Sequence, residues 1–217
     1  MTERAVVFDV DDTLYLERDY VASGFRAVEP IVRRRFGVDG LAAVAWRLFL
    51  DGCRGTTFDR ALAELGVAVT GADIADLVTA YREHEPDITL LPDGRAALET
   101  LRARGTPIAV LTDGPQASQW AKVRALGLDR IAEVVVLTDR YGPGFGKPHD
   151  RGFREIMARL GSPGYVYVAD NPAKDFVAPR ELGWRTVRVR RPGGLHESSD
   201  HGADVDEVVT DLGRLAW

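Results

Sequence analysis

A single cysteine, Cys53, stands in 217 residues, so no internal disulfide can form and no cysteine-built zinc site can be assembled. Lysine is almost as scarce. Only Lys122, Lys147 and Lys174 are lysines among 28 basic side chains, which makes each of them a position to account for. No apolar run approaches the ~20 residues of a membrane span. Met1-Thr2-Glu3-Arg4 leads straight into a strand-like segment without the basic and apolar regions of a signal peptide, so a cytoplasmic protein that does not engage membranes is expected. Net charge is −5 and the arginines are scattered rather than aligned, which leaves no footprint for nucleic acid. Internal repeats are missing, and the Gly-, Ser- and His-rich stretch 191–203 reads as an exposed loop. No heptad seam marks an oligomer interface, so the sequence leaves the oligomeric state open. The remaining balance, 45% apolar and 28% charged, is that of a folded globular chain and not of a disordered one.

Five short apolar, β-branched runs read as buried strands: residues 5–10, 108–112, 134–137, 165–169 and 186–189. Between the last four lie amphipathic stretches of helix length, at 115–126, 151–160 and 173–182, with another at 93–104 ahead of them. Strand and helix alternating in this way predict a Rossmann-like, doubly wound parallel α/β sheet covered on both faces. A last short helix is expected near 204–212. The segment after the first strand breaks the pattern, because it reads as helices at 17–36, 40–50, 57–65 and 71–83, punctuated by Gly37, Gly52, Gly55 and Gly66. An insertion of about 75 residues is too long for a crossover connection and predicts an all-helical subdomain. The expected division is therefore 1–16 with 91–217 for the core and 17–90 for the helical insert.

The chemistry-bearing residues gather at strand ends. Phe8-Asp9-Val10-Asp11-Asp12-Thr13 places Asp9 and Asp11 two apart, on one side of an extended chain and facing one another's charge. The carboxyl ends of parallel strands are where an open α/β sheet forms its ligand crevice. Two carboxylates in such a crevice persist if a cation neutralises them or one keeps its proton, and oxygen-only ligation selects a hard ion, magnesium first. The fourth strand ends the same way in Ala169-Asp170-Asn171-Pro172, with Asp175 in the first turn of the next helix, where a capping role is the simpler alternative. The second strand ends in Thr112-Asp113-Gly114-Pro115, a hydroxyl followed by backbone N–H groups at a helix start, a place for an anion. Lys147 sits in the glycine-rich loop Gly142-Pro-Gly-Phe-Gly146-Lys147-Pro148, which is not a P-loop because Tyr141 and Pro148 occupy two of its required positions.

Taken in order, Asp9-Val-Asp11-Asp-Thr13, Thr112, Lys147-Pro148, and Asp170 with Asp175, the chain resembles the haloacid dehalogenase superfamily in all four of its motifs. The helical insert resembles that family's cap. Asp11 resembles the phosphatases and phosphomutases, since the dehalogenases lack an aspartate there. The resemblance implies a magnesium-dependent phosphatase releasing phosphate from a small soluble phosphomonoester, a sugar phosphate or a nucleoside 5′-monophosphate, through an aspartyl-phosphate. It implies Asp9 as nucleophile, Asp11 as general acid and base, and Thr112 and Lys147 with backbone N–H groups near Asp11 and Asp113 as the phosphoryl cradle. Magnesium would lie on Asp9, Asp170 and the backbone carbonyl of Asp11, with Asp175 orienting Lys147 or a metal-bound water. A phosphosugar mutase is the nearest alternative, and a non-catalytic phospho-ligand-binding protein a more distant one.

Asp113 stands where many relatives carry asparagine, which adds negative charge beside the phosphate site. The loop before Lys147 is longer and richer in glycine than usual, which makes the placement of that lysine depend on the loop. Arg54, in the loop 52–57 of the insert, is the candidate contact for a second anionic group of the substrate. His84, His149, His196 and His201 are not spaced as metal ligands and read as surface residues, and Lys122 and Lys174 read as solvated helix positions. Trp46, Phe49, Leu50 and Phe58 read as the insert's own small core.

Overall fold

The apolar runs of the sequence become one sheet in the computed structural model, which describes residues 4–199 and 205–217. Its strands are β1 (Ala5–Phe8), β2 (Ile108–Thr112), β3 (Val134–Leu137), β4 (Tyr165–Ala169), β5 (Arg185–Val189) and β6 (Glu207–Val209). Every neighbouring pair is parallel, and the spatial order is β3-β2-β1-β4-β5-β6. Connections therefore leave β1 and β4, which are neighbours, in opposite directions across the sheet. A crevice opens outside the carboxyl ends of a sheet at such a switch point. Register Phe8↔Val168 brings Asp9 and Asp170, which follow these two strands, to the same end of the sheet.

One face of the sheet shows why the strands read as buried. Ala5, Val7, Ala109, Leu111, Tyr165 and Tyr167, at alternating positions, pack with Phe153 and Ile156 of the helix at Arg151–Leu160 and with Trp184. Trp184 stacks on Tyr165 at 4.5 Å between centroids and meets Phe153 edge-on at 5.5 Å. Such rings contribute about 1.5–3 kcal/mol each on burial. Gly152 lets that helix lie close, because a Cβ there would fall 2.6 Å from Leu111 Cδ1.

The chain divides into two compact units, Met1–Glu17 with Ile88–Trp217, and Arg18–Asp87. The first holds the sheet and the helices at Pro92–Ala103, Gln116–Ala125, Arg151–Leu160 and Val177–Glu181; the second is built from helices at Glu17–Phe36, Leu41–Leu50, Thr57–Glu64 and Gly71–Glu83. In chain order these helices are α1–α4 within residues 17–83 and α5–α8 beyond. Val21, Phe25, Val28 and Val32 recur at helical spacing on α1 and form the second unit's core with Leu41, Leu48, Phe49, Phe58, Leu62 and Leu77. Gly24 permits close approach, since a Cβ there would lie 2.3 Å from Tyr81 Cε2. Among the described residues no helix is long and apolar enough to cross a membrane.

Several expectations need correction. β1 stops at Phe8, and a turn closed by the Thr13 and Leu14 N–H groups on the Val10 carbonyl follows, with Asp12 at φ 49°. Asp9 and Asp11 therefore do not continue an extended strand. The helix expected over 173–182 begins only at Val177, because the Asn171 side chain and carbonyl capture the N–H groups of Ala173, Lys174 and Asp175. Near 204–212 a helix was expected, with position 204 outside the described residues; the structure has β6 there, a three-residue strand too short to carry a period, and a 3₁₀ turn at Leu212–Arg214. Leu50 is 59% exposed and not part of the core of its unit. His84 is buried rather than on the surface: its Nδ1 donates to the Tyr81 carbonyl at 2.6 Å and its Nε2 accepts from Ser23 Oγ at 3.1 Å, while Ser23 Oγ accepts from Asp87 N–H. His201 lies outside the described residues.

Candidate active site

Asp9 is the first residue beyond β1, tied to β4 by its N–H on the Val168 carbonyl at 2.9 Å. Its buried carboxylate takes Lys147 Nζ at 2.8 Å. The same ammonium lies 2.7 Å from Asp175 Oδ1 and donates to Tyr167 Oη at 3.1 Å. Asp175 is fully buried and accepts the Asn171 N–H at 3.0 Å, so it is not a solvated helix cap. It orients Lys147 directly. The end of the glycine-rich loop is fixed as well, by Lys147 N–H donating to Asp113 Oδ1 at 3.2 Å.

Asp170 completes a cluster. Asp9, Asp170 and Asp175 each offer a carboxylate oxygen, and these oxygens lie within 4.8 Å of one another. Burial, reinforced by the charges of Asp9 and Asp175, pushes Asp170 up to about 9. Burial likewise lifts Asp9 to about 6, although Lys147 opposes it. Burial alone would depress Lys147, but Asp175 and Asp9 hold it well above the ordinary amine range. The Lys147 ammonium is bonded to Asp9 and Asp175, while burial and the neighbouring carboxylates disfavour the charged form of Asp170. Hard oxygen donors packed this closely fit a hard divalent ion such as magnesium.

Asp11 sits apart from that cluster. Lys122 Nζ lies 2.7 Å from its Oδ1, Gln119 Nε2 donates to its Oδ2 at 2.9 Å, and the Tyr15 hydroxyl donates to Oδ1. Burial would raise its pKa, but the Lys122 charge and these three hydrogen bonds bring it below the ordinary carboxylate value. Its side chain is also not among the clustered metal-type donors. Thr112 is buried at the end of β2, and its hydroxyl accepts from Gln119 Nε2.

Asp113 accepts from Thr138 Oγ1 at 2.7 Å and from Lys174 Nζ at 3.2 Å, besides Lys147 N–H. Lys122 and Lys174 are not solvated helix positions: Lys122 is buried in α6, and Lys174 lies in the turn before α8. His196 is half-buried, accepting from Asn171 Nδ2 at 3.0 Å, whereas His149 is exposed. Arg54, in the helical unit, donates to the Phe49 and Cys53 carbonyls at 2.7 and 2.8 Å and lies over the Phe49 ring. Sequence reasoning missed Tyr15, Gln119, Lys122 and Tyr167. A signal existed for two of them, since Gln119 and Lys122 are spaced i, i+3 on the helix that follows Thr112.

The model of the haloacid dehalogenase-like hydrolases matches residues 3–183. Glyceraldehyde 3-phosphate phosphatase from Methanocaldococcus jannaschii is 29% identical over 220 residues, covering 98% of this chain and 95% of that protein. Phosphoserine phosphatase from Thermus thermophilus is 33% identical over 193 residues, covering 88% of this chain and 74% of that one. Among solved structures, a putative beta-phosphoglucomutase from Thermotoga maritima superposes with a TM-score of 0.68 at 20% identity, over 97% of this chain and 95% of that chain, a likeness of fold.

Proposed function

The chain belongs to the haloacid dehalogenase-like hydrolases and is a phosphatase acting on small phosphates, and from that premise we propose that it hydrolyses a compact soluble phosphomonoester through an aspartyl-phosphate on Asp9. The observation that carries the reading is the setting of Asp9: buried at the switch point, 2.8 Å from Lys147 Nζ and beside Asp170 and Asp175. Relatives named for glyceraldehyde 3-phosphate and phosphoserine favour a short sugar phosphate or similar ester over a nucleoside 5′-monophosphate. Asp9, Asp170 and Asp175, with the backbone carbonyl of Asp11, would hold magnesium. The bound ion supplies positive charge that screens the attacking carboxylate from the phosphate.

The rest of the chemistry falls to the chain's own side chains. An oxygen of Asp9 bonds to phosphorus as the bond from phosphorus to the alcohol oxygen breaks. Asp11 gives that oxygen its proton. Water then attacks the same phosphorus, Asp11 takes the water's proton, and inorganic phosphate leaves with Asp9 restored. Lys147, Thr112 and the backbone N–H groups near Asp113 hold the phosphoryl oxygens, where charge concentrates in the transition state. Tyr167 and Asp175 keep Lys147 aimed. The cytoplasm is the proposed location.

Phosphate release from triose and other sugar phosphates, phosphoserine, nucleoside 5′-monophosphates and p-nitrophenyl phosphate tests this reading. Release that requires Mg2+, stops with EDTA and is lost in Asp9→Asn is expected, with the highest kcat/KM among the short esters. Turnover retained by Asp9→Asn would overturn it.

A further inference from the structure

Lys122 has no part in the phosphoryl-transfer chemistry above, yet its side chain is 5% exposed and its ammonium is 2.7 Å from Asp11 Oδ1. We infer that Lys122 is a positioning residue that holds Asp11 where it can exchange a proton with the leaving group, an inference that rests on the phosphatase reading. Both oxygens of Asp11 are anchored: Oδ1 by Lys122 and Tyr15, Oδ2 by Gln119. A carboxylate held at both oxygens cannot rotate freely about its terminal bond, so its direction is set by these donors. Burying an ammonium and a carboxylate costs desolvation on both sides, which good geometry and further hydrogen bonds must offset.

The residue type supports the assignment. This chain uses arginine at nearly every other basic position. A guanidinium is a planar fork, whereas an ammonium is a compact point charge that fits beside one oxygen already shared with a tyrosine hydroxyl. The local backbone supports it too. Thr112 ends β2, Gly114 turns the chain at φ +126°, and α6 starts at Gln116. A Cβ at position 114 would meet the Gln119 side chain at 3.4 Å, in a conformation that L side chains rarely adopt. One strand–turn–helix unit therefore delivers Thr112 to the phosphate and Gln119 with Lys122 to Asp11.

Proton donation matters most when the leaving oxygen is basic. An alkoxide needs the proton of Asp11, whereas p-nitrophenolate leaves without it. In Lys122→Met, kcat/KM for an alkyl phosphate such as glycerol phosphate should fall roughly 10- to 100-fold, a share of the 10²–10⁴ that a positioned acid contributes, while p-nitrophenyl phosphate changes by less than about threefold. The fall should disappear when Lys122→Met is made in an Asp11→Asn background, because the lysine acts through that carboxyl. Equal losses on both substrates, no loss on the alkyl phosphate, or a full effect in Asp11→Asn would overturn the inference. Should Lys122→Met fail to fold, Tyr15→Phe keeps the buried ring and removes one donor. It should give the same substrate selectivity at roughly three- to tenfold, and equal losses there overturn the inference as well. A wild-type protein that releases phosphate from neither substrate would instead overturn the phosphatase reading and the inference with it.

Discussion

Each lysine of this chain ends on an aspartate of the candidate site. Lys147 meets Asp9 and Asp175, Lys122 meets Asp11, and Lys174 meets Asp113. Their scarcity was the visible signal, although sequence spacing alone pointed only to Lys147. The Asp113 carboxylate shows how one residue can serve two ends, since Oδ1 holds Thr138 and the Lys147 N–H while Oδ2 holds Lys174. Asparagine would keep an oxygen for the first two contacts and remove the negative charge. Asp113→Asn should therefore lower KM for a dianionic phosphate ester by about fivefold, the equivalent of about 1 kcal/mol of charge interaction, with kcat within about twofold. Steady-state kinetics on the wild type and variant measure this, and an unchanged KM would show that Lys174 and Lys147 already neutralise Asp113.

At the scale of elements, the parts legible in the sequence were those with a strong period or an unbroken apolar run. Strands Ile108–Thr112, Val134–Leu137 and Tyr165–Ala169 and helices Glu17–Phe36 and Gly71–Glu83 lie where apolar pattern and capping place them. Asp9, Thr112 and Asp170 could be placed together from the sequence because each ends or follows a strand, whereas Lys147 and Asp175 lie several residues beyond β3 and β4 and were placed by the family resemblance. The clamp on Asp11 was not legible, because the i, i+3 spacing of Gln119 and Lys122 does not by itself put α6 beside the turn after β1. β6 escaped because three residues carry no period, and its place depends on the edge that β5 offers. Another long-range tie could not be read either. Arg191 donates from Nε and Nη2 to the Thr13 carbonyl at 3.0 and 2.6 Å and pairs through Nη1 with Asp93, which also accepts the Leu212 N–H. That one arginine joins the turn after β1, the start of α5 and the C-terminal segment. Removing one partner leaves a buried charge alone, so Asp93→Ala should cost about 3–5 kcal/mol in a denaturant titration. A loss below about 1 kcal/mol would mean that water reaches the guanidinium. Arg191 and the backbone N–H of Leu212 outweigh burial and hold Asp93 below its ordinary carboxylate value, so this tie is intact above that value and is lost as pH falls through the lowered one.

For the molecule as a whole, the carboxylate cluster adds a pH dependence to stability. Burial raises Asp170 to about 9 and Asp9 to about 6, from 3.8. These two groups bind protons in the fold that they have released in the unfolded chain, so their contribution to stability without metal falls as pH rises from near 4 toward 9. A divalent ion held by these carboxylates would compete with protons for them. Mg2+ should accordingly raise Tm more at about pH 8.5 than at about pH 5.5. Equal gains at both, read by differential scanning fluorimetry, would place the ion elsewhere. The central claim is narrower: phosphorus is passed through Asp9. Turnover of a short sugar phosphate stopped by rapid acid quench, followed by mass spectrometry of the peptide containing Asp9, tests it most directly. The account predicts a phosphoryl group on Asp9 that is missing without Mg2+ and missing in Asp9→Asn. Phosphate release with no phosphoryl group on that peptide during turnover would contradict it.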